Sequence, residues 1–147
     1  MIFDIAMLGK MLALDEGKRA LPYEDDVGKI TIGIGRNLTD NGLSEAEIYL
    51  LLTNDIQDVE DDVSSLDWFT PLDPVRRLVI ADMCFNLGLK RLLGFKNMIV
   101  AIKVKDYEIA ALEMIDSKWA RQVGKRAYRL AHMMRTGKIH HAYLSES

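Results

Sequence analysis

The stretch that decides the fold runs from Leu14 to Gly35 and reads LDEGKRALPYEDDVGKITIGIG. Its last six residues alternate isoleucine with threonine or glycine, the period of two that predicts a β-strand. The isoleucines are Ile30, Ile32 and Ile34, and the residues between them are Thr31, Gly33 and Gly35. Because glycine weakens a strand by roughly 0.5–1 kcal/mol relative to alanine, the missing side chains indicate that something must approach the glycine face closely.

The residues around this strand predict a helix before it and a hairpin that contains it. Apolar residues at helical spacing, among them Ile5, Leu8 and Leu12, predict a first helix over residues 3–16. Gly17 is placed to end that helix. The predicted hairpin consists of a strand at Tyr23–Glu24, a turn over residues 25–28 and a strand over residues 29–36. Residues 40–42 predict a further turn.

A long helix is predicted to follow. Ser44 and Glu47 form a capping box, and the helix that they open runs from Glu45 to about Ser64. At about 1.5 Å per residue it is long enough to connect two lobes. Its expected buried stripe consists of Ile48, Leu52, Ile56, Val59 and Val63.

Helices account for the rest of the chain. Asp73 and Pro74 are an N-cap and a first helical residue, and that helix runs to Gly88. Asp106 is placed to cap another helix, and a last one covers about residues 123–136 and is ended by Gly137. With one small sheet near its N-terminus, the chain is predicted to be α+β.

Length and composition are those of a single globular domain, with 147 residues of which 49% are hydrophobic and 28% charged. Neither a secretory signal nor a membrane-spanning run is present, so we expect synthesis in a cytosol and no stable membrane insertion. The lone cysteine, Cys84, lies in an apolar run and is interpreted as a buried core thiol. His132, His140 and His141 lack the spacing of a metal site, and we expect neither a metal nor a cofactor.

The net charge of −3 is unevenly distributed. Residues 37–75 contain acids and no lysine or arginine, whereas residues 118–138 contain lysines and arginines and no acid. Two interpretations are open: a basic face that meets an anionic partner, or two solvated faces of opposite charge.

Glu16, Asp25 and Thr31 form the candidate catalytic group. A helix end, a turn and a strand can place these three side chains around one cleft, where the glycine face would leave room for a substrate. Two carboxylates across a cleft suit glycosidic cleavage, one donating a proton and the other, ionised, activating water or supporting a cationic transition state. Spacing alone does not distinguish this from ordinary turn chemistry for Asp25.

The exact residues of this stretch resemble the front lobe of the phage-type lysozymes, the T-even endolysin family of glycoside hydrolases. The match to the family pattern, Asp-Glu-Gly, then Pro-Tyr, then Asp-x-x-Gly-x-x-Thr-Ile-Gly-x-Gly, has no gap from Leu14 to Gly35. The resemblance continues in DPVRRLVIADMCFNLG, GFKNM, SKWARQ and KRAYR…MMRTG. It implies a lysozyme-like single domain, 1–147. An N-terminal lobe of about residues 13–60 and a long connecting helix would precede a helical lobe of about 61–147, on which helix 1–12 packs.

The resemblance also implies roles for matching residues. Glu16 would be the general acid, Asp25 the second carboxylate, and Thr31 the residue that orients the attacking water. Arg126 matches an arginine that pairs with the catalytic glutamate across the lobes, and Phe85 matches a residue that lines the cleft. The expected substrate-binding surface is completed by Gly33, Gly35 and Asn37.

Several positions depart from the family. Arg36 stands where the T-even type has a histidine whose partner matches Asp55, so we expect an Arg36–Asp55 ion pair. The front lobe is shorter between residues 38 and 42, which would remove one strand and open the cleft. Met98 and Glu113 replace two residues that contact substrate in the T-even type, so the subsite preferences are expected to differ.

The activity implied by the resemblance is hydrolysis of the β-1,4 bond between N-acetylmuramic acid and N-acetylglucosamine in peptidoglycan. We expect a monomeric endolysin of the host cytoplasm that reaches the periplasmic wall through a separate holin-type pore and lyses the cell. The basic segment 118–138 would then face the anionic glycan strand.

Three alternatives stay open. A lytic transglycosylase would cut the same bond by internal attack of the muramyl hydroxyl, and would need no base for water. A catalytically weak wall-binding module built on the same fold would be expected to lack Glu16. Nucleic-acid binding, suggested only by the charge of residues 118–138, would depend on salt, and we expect none.

Overall fold

The chain divides into two compact units, Met1–Leu51 and Leu52–Ser147. A computed structural model describes residues 2–145. The predicted lobes, about 13–60 and 61–147 with helix 1–12 packed on the second, stay predictions.

The first unit begins with helix α1, Ile5–Glu16. Asp4 caps it by accepting the N–H of Met7 at 3.1 Å, and Gly17, with φ +79°, ends it. The predicted helix and its end are confirmed, with a start two residues later than expected. No residue of α1 is buried.

Three antiparallel strands follow in sequence order: β1 (Arg19–Glu24), β2 (Ile30–Gly33) and β3 (Arg36–Asn37). The hairpin is confirmed, but the predicted strand over residues 29–36 is wrong beyond Gly33. Gly33 and Gly35 have φ values of +69° and +72°, a left-handed backbone that turns the chain back. It returns as β3, so the strand expected to be lost is present in two residues.

A short helix replaces the turn predicted at residues 40–42. Helix α2 covers Leu38–Asn41 and begins because the Asn37 side chain accepts the N–H of Asp40 at 3.0 Å. Gly42 ends it, with φ +57°. Because Asn37 caps these residues, they form one turn of helix instead of the predicted turn.

Helix α3 covers Glu45–Ser64, as predicted. The capping box is also confirmed: the Ser44 N–H donates to Glu47 Oε1 at 2.8 Å, and the Glu47 N–H donates to Ser44 Oγ at 3.2 Å. The predicted buried stripe is wrong except at its end, since only Val63 is buried along α3. Ile48 and Ile56 are about half exposed, at 46% and 52%.

Six helices and a 3-10 turn make up the rest of the second unit within the described residues. They are α4 (Pro74–Leu87), α5 (Leu89–Leu93), α6 (Lys96–Lys103), α7 (Tyr107–Ile115), α8 (Lys118–Val123), α9 (Lys125–Thr136) and the turn His141–Tyr143. The predicted caps at Asp73 and Asp106 and the end at Gly137 are confirmed. The last predicted helix, about 123–136, is confirmed as α9, and Gly124, with φ +60°, separates it from α8.

The apolar core lies in this second unit. Its largest fully buried side chains are Ile80, Met83, Leu92, Met98, Met114, Leu130, Met134 and Val79. Cys84 is buried among them, as predicted, and its burial raises the pKa of the thiol. Mostly helical and with one small sheet, the fold is α+β, as expected. No helix within residues 2–145 is long and apolar enough to cross a membrane.

Candidate active site

Glu16 is the last residue of α1, and its carboxyl group lies against the backbone of Gly35. A Cβ atom placed on Gly35 would lie 3.0 Å from Cγ, Cδ and Oε2 of Glu16. Residue 35 therefore has to be a glycine both for its positive φ and for the closeness of this carboxyl. Gly33 differs, because nothing lies within 4 Å of a Cβ placed there, so its backbone conformation alone requires glycine.

Asp25 is built into the turn between β1 and β2. Its Oδ1 accepts the N–H groups of Val27 at 3.0 Å and Lys29 at 2.8 Å. Its own N–H donates to the carbonyl of Lys29 at 2.9 Å. The turn chemistry considered for Asp25 is thus present, and it engages one oxygen. Among the described residues, no hydrogen bond reaches the other oxygen, Oδ2.

Thr31 lies in β2, the central strand, opposite Tyr23 of β1 and Asn37 of β3. It is 4% exposed, and its hydroxyl donates to the carbonyl of Lys29 at 3.1 Å. A hydroxyl has one hydrogen and two lone pairs, so the Thr31 oxygen is left able to accept from a water molecule. The backbone of Lys29 binds both Asp25 and Thr31 and fixes these two side chains as one group.

Asn37 is engaged in the start of α2. Its Oδ1 caps the helix, and its Nδ2 donates to Asp40 Oδ2 at 2.9 Å. Lys29 Nζ lies 3.1 Å from Asp40 Oδ1. The hydrogen bonds from Lys29 and Asn37 lower the pKa of Asp40. The substrate-binding role expected for Asn37 stays a prediction.

Arg36 forms an ion pair within the first unit, with Glu47. Its Nη1 lies 2.7 Å from Glu47 Oε1 and also donates to the Gly42 carbonyl at 3.2 Å. The expected pairing of Arg36 with Asp55, a residue of the second unit, stays a prediction. The Arg36 hydrogen bond, together with those from Ser44, lowers the pKa of Glu47 to about 2.

Arg126 and Phe85 lie in the second unit. Arg126 Nε and Nη2 donate to Asp82 Oδ1 at 2.9 and 2.7 Å. Phe85, 48% exposed, lines a mostly apolar cavity of about 480 Å³ together with both members of this ion pair. The predicted pairing of Arg126 with Glu16 stays a prediction. Asp55 is exposed on α3.

Met98 and Glu113, the two positions that depart from the family, line another cavity of the second unit, of about 540 Å³. Met98 is fully buried there and Glu113 half-buried. Trp119 forms one wall, held by donation from its Nε1 to Asn86 Oδ1 at 2.8 Å and by an edge-on contact with Phe95.

Three residues that sequence reasoning did not select contribute to these sites: Lys29, Glu47 and Asp82. Glu47 had a signal, since the capping box already placed its carboxylate beside the turn after β3. Lys29 acts through its backbone, which residue type does not reveal. Asp82 is 44 positions from Arg126, and nothing local links them. Within residues 2–145, no cluster of three or more His, Cys, Asp or Glu side chains could hold a metal ion.

The chain is similar to a known protein family and to several known proteins. Residues 13–135 match the family model described as "Phage lysozyme". The chain is 27% identical to "Probable T4-type lysozyme 2" of Dictyostelium discoideum, an alignment that covers 92% of this chain and 97% of the relative. It is also 27% identical to the "Pre-baseplate central spike protein Gp5" of Enterobacteria phage T4, over 90% of this chain and 28% of that protein.

Proposed function

The chain belongs to the phage lysozyme family and is a glycoside hydrolase of the lysozyme type, and we propose that Glu16, Asp25 and Thr31 carry out its chemistry. The bond cleaved is the β-1,4 bond between N-acetylmuramic acid and N-acetylglucosamine in peptidoglycan. Two observations in the first unit support the proposal: the Glu16 carboxyl lies against Gly35, and the side chains of Asp25 and Thr31 both bond to the backbone of Lys29.

In this mechanism Glu16, protonated, donates its proton to the leaving glycosidic oxygen. The Thr31 oxygen accepts a hydrogen bond from a water molecule. This bond orients the water so that a lone pair of its oxygen points away from Thr31, toward the sugar carbon. The Oδ2 atom of Asp25 takes the proton that the water loses as it attacks the sugar carbon, or supports the positive charge that develops there. Oδ1 stays bound to the turn, so the carboxylate is oriented before substrate binds.

The first experiment is mass spectrometry of peptidoglycan fragments after digestion by the wild type, Glu16→Gln and Glu24→Gln. Glu24 is an exposed glutamate at the end of β1, so it controls for loss of a carboxylate in the same unit. We expect reducing muramic ends from the wild type and Glu24→Gln, and none from Glu16→Gln. Anhydro-muramic ends, lighter by one water, would instead make the chain a lytic transglycosylase, and no cleavage by any of the three would favour a wall-binding module.

The substitution Asp25→Asn separates the role of Asp25 in the turn from its proposed role in catalysis. Asparagine keeps an oxygen that can accept from Val27 and Lys29, so the turn is retained, but it cannot take a proton. We expect a folded protein with little or no hydrolysis. Asp26→Asn, at an exposed aspartate of the same turn, is the matched control and should hydrolyse normally. Equal activity in the two variants would reduce Asp25 to a turn residue.

The biological setting proposed is that of a monomeric endolysin, held in the host cytoplasm until a holin-type pore lets it reach the wall. The relative named as a central spike protein suggests a second setting, a lysozyme module within a larger assembly. Expression in a bacterium with and without a co-expressed holin separates the two. Lysis that occurs only when the holin is co-expressed supports the endolysin. If the enzyme is active in vitro but does not lyse cells that express the holin, the module is supported.

A further inference from the structure

Three histidine rings meet where the chain leaves α9 and turns back. The ring of His140 stacks on His141, with centroids 4.3 Å apart, and lies edge-on to His132 of α9 at 5.5 Å. Its Nδ1 accepts the N–H of Ala142 at 3.0 Å, which begins the 3-10 turn His141–Tyr143. A ring nitrogen that accepts carries no proton, so this hydrogen bond exists only while the His140 ring is neutral.

The charges around the three rings are mainly positive. Helix α9 contributes Arg129, and Arg135, whose Nη2 lies 3.4 Å from Nδ1 of His132. Lys138 lies in the link between α9 and the turn. Glu108 of α7 lines a groove together with His132 and Arg135. Among the described residues that line this groove, Glu108 is the acidic one.

The turn also forms part of a cavity. Tyr143 is held to α9, since Arg129 Nε donates to its hydroxyl at 3.1 Å and the guanidinium lies 5.3 Å from its ring centre. Tyr143 and Ile139 line the cavity of the second unit that contains Phe85 and the Arg126–Asp82 ion pair. The position of the turn therefore sets the shape of one wall of that cavity.

We propose that residues 139–145 are an acid-released latch, closed on the second unit while the His140 ring is neutral and released when it is protonated. Protonation of His140 removes the acceptor for Ala142. It also adds positive charge between His132, His141 and the arginines of α9, and among the described residues the groove beside His132 has one acid in its lining, Glu108. Release moves Ile139 and Tyr143 away and opens the cavity that holds Phe85 and Arg126.

The direction of the pH dependence follows from His140. Burial, and then the charges of His141, His132 and Arg129, lower its pKa from the ordinary value of 6.5. Because the released segment binds the proton more readily than the closed one, the latch is fully stabilised above pH 6.5. That stabilisation is lost as the pH falls through the lowered pKa.

The test is a backbone NMR titration of the whole chain from pH 8 to pH 5, without substrate. We expect the amide of Ala142 and the Cα shifts of residues 141–145 to move to random-coil values in step with the His140 ring, while α7 stays unchanged. His140→Asn keeps an acceptor for Ala142 that does not titrate, and should hold the turn closed through this range. His141→Asn, the matched control, keeps His140 and should keep the transition.

Two results would overturn the latch: unchanged shifts of residues 141–145 in the wild type, or the same release in His140→Asn. If that variant did not fold, a wild-type titration in which the segment released out of step with His140 would overturn it equally. The readout uses no substrate, so it is independent of the catalytic roles proposed for Glu16 and Asp25.

Discussion

At the scale of single residues, Gly35 connects the sequence pattern to the chemistry. An isoleucine and glycine alternation predicts a strand with an open face, and the side chain that approaches position 35 is the proposed acid, Glu16. The glycine is thus a packing requirement of the site. Gly33, two residues earlier, has the same left-handed backbone without the neighbour, which makes it a control within the same turn.

Gly35→Ala and Gly33→Ala should destabilise the first unit to a similar extent, about 1–2 kcal/mol each, because both force an L-residue into a left-handed conformation. Only Gly35→Ala should also displace the Glu16 carboxyl, and we expect it to lower kcat/KM by about 100-fold. Peptidoglycan hydrolysis rates beside thermal unfolding of both variants check this. Equal activity losses would show that the position of Glu16 does not depend on Gly35.

Glu47 makes a pH-dependent contribution at the same scale. Its pKa is lowered from 4.5 to about 2, first by the Arg36 hydrogen bond and then by those from Ser44. The stabilisation is therefore fully present above pH 4.5 and is lost as the pH falls toward 2. Glu47→Gln keeps a side-chain oxygen for the Ser44 N–H but removes the charge.

An NMR acid titration of the Arg36 and Ser44 amides should show a transition in that window for the wild type and for Glu45→Gln, an exposed carboxylate in the same helical turn. Glu47→Gln should show none. A transition that persisted in Glu47→Gln would assign the acid sensitivity of this corner to another group.

At the scale of elements, the side chain of Arg76 on α4 caps the C-terminus of α9. Its Nε donates to the Met134 carbonyl at 2.6 Å and its Nη2 to the Arg135 carbonyl at 3.1 Å, groups that a helix C-terminus leaves without partners. The guanidinium lies 3.7 Å from the ring centre of Tyr107 on α7. Gly137 allows this approach, because a Cβ there would lie 2.9 Å from Arg76 Nη1.

Arg76→Ala should therefore lower the free energy of unfolding by about 3 kcal/mol, since it leaves two helix-end carbonyls without their donor and removes the ion pair with Asp73. Arg121→Ala, at an exposed position of α8, should change it by less than about 0.5 kcal/mol. Urea unfolding with comparison of midpoints at constant slope measures both. A similar small effect at both positions would rule out Arg76 as the link between α4 and α9.

At the scale of the whole molecule, burial is concentrated in one unit. The buried apolar cluster consists of residues from Val63 onward. Within the described part of the first unit, Thr31 is the one buried residue. Because local stability follows buried apolar contact, the two units should differ in the free energy of opening.

Native-state hydrogen exchange should show the slowest amides in α4, α7 and α9, and faster exchange in α1 and α2. Ile80→Ala, at a fully buried position of α4, should lower protection in these core helices by about 2–5 kcal/mol and leave α1 little changed. Leu50→Ala, at a side chain 61% exposed, should leave the core helices unchanged. Equal exchange in α1 and α4 would contradict the concentration of stability in the second unit.

Features that depend on near neighbours along the chain could be predicted from the residues alone. The capping box of Ser44 and Glu47, the start at Asp73 and Pro74, and the helix ends at Gly17 and Gly137 are set by bonds that span a few residues. The matched motif from Leu14 to Gly35 also selected Glu16, Asp25 and Thr31, and the structure brings the last two together through Lys29.

The pairing of distant groups and the burial of apolar faces depend on how the elements pack in three dimensions. Arg36 bonds to Glu47 and Arg126 to Asp82, although residue types alone allow several partners for each arginine. The apolar stripe of α3 repeats at helical spacing, yet only Val63 is buried. The physical reason is that periodicity states which side chains share a face, whereas burial depends on the elements that pack against that face.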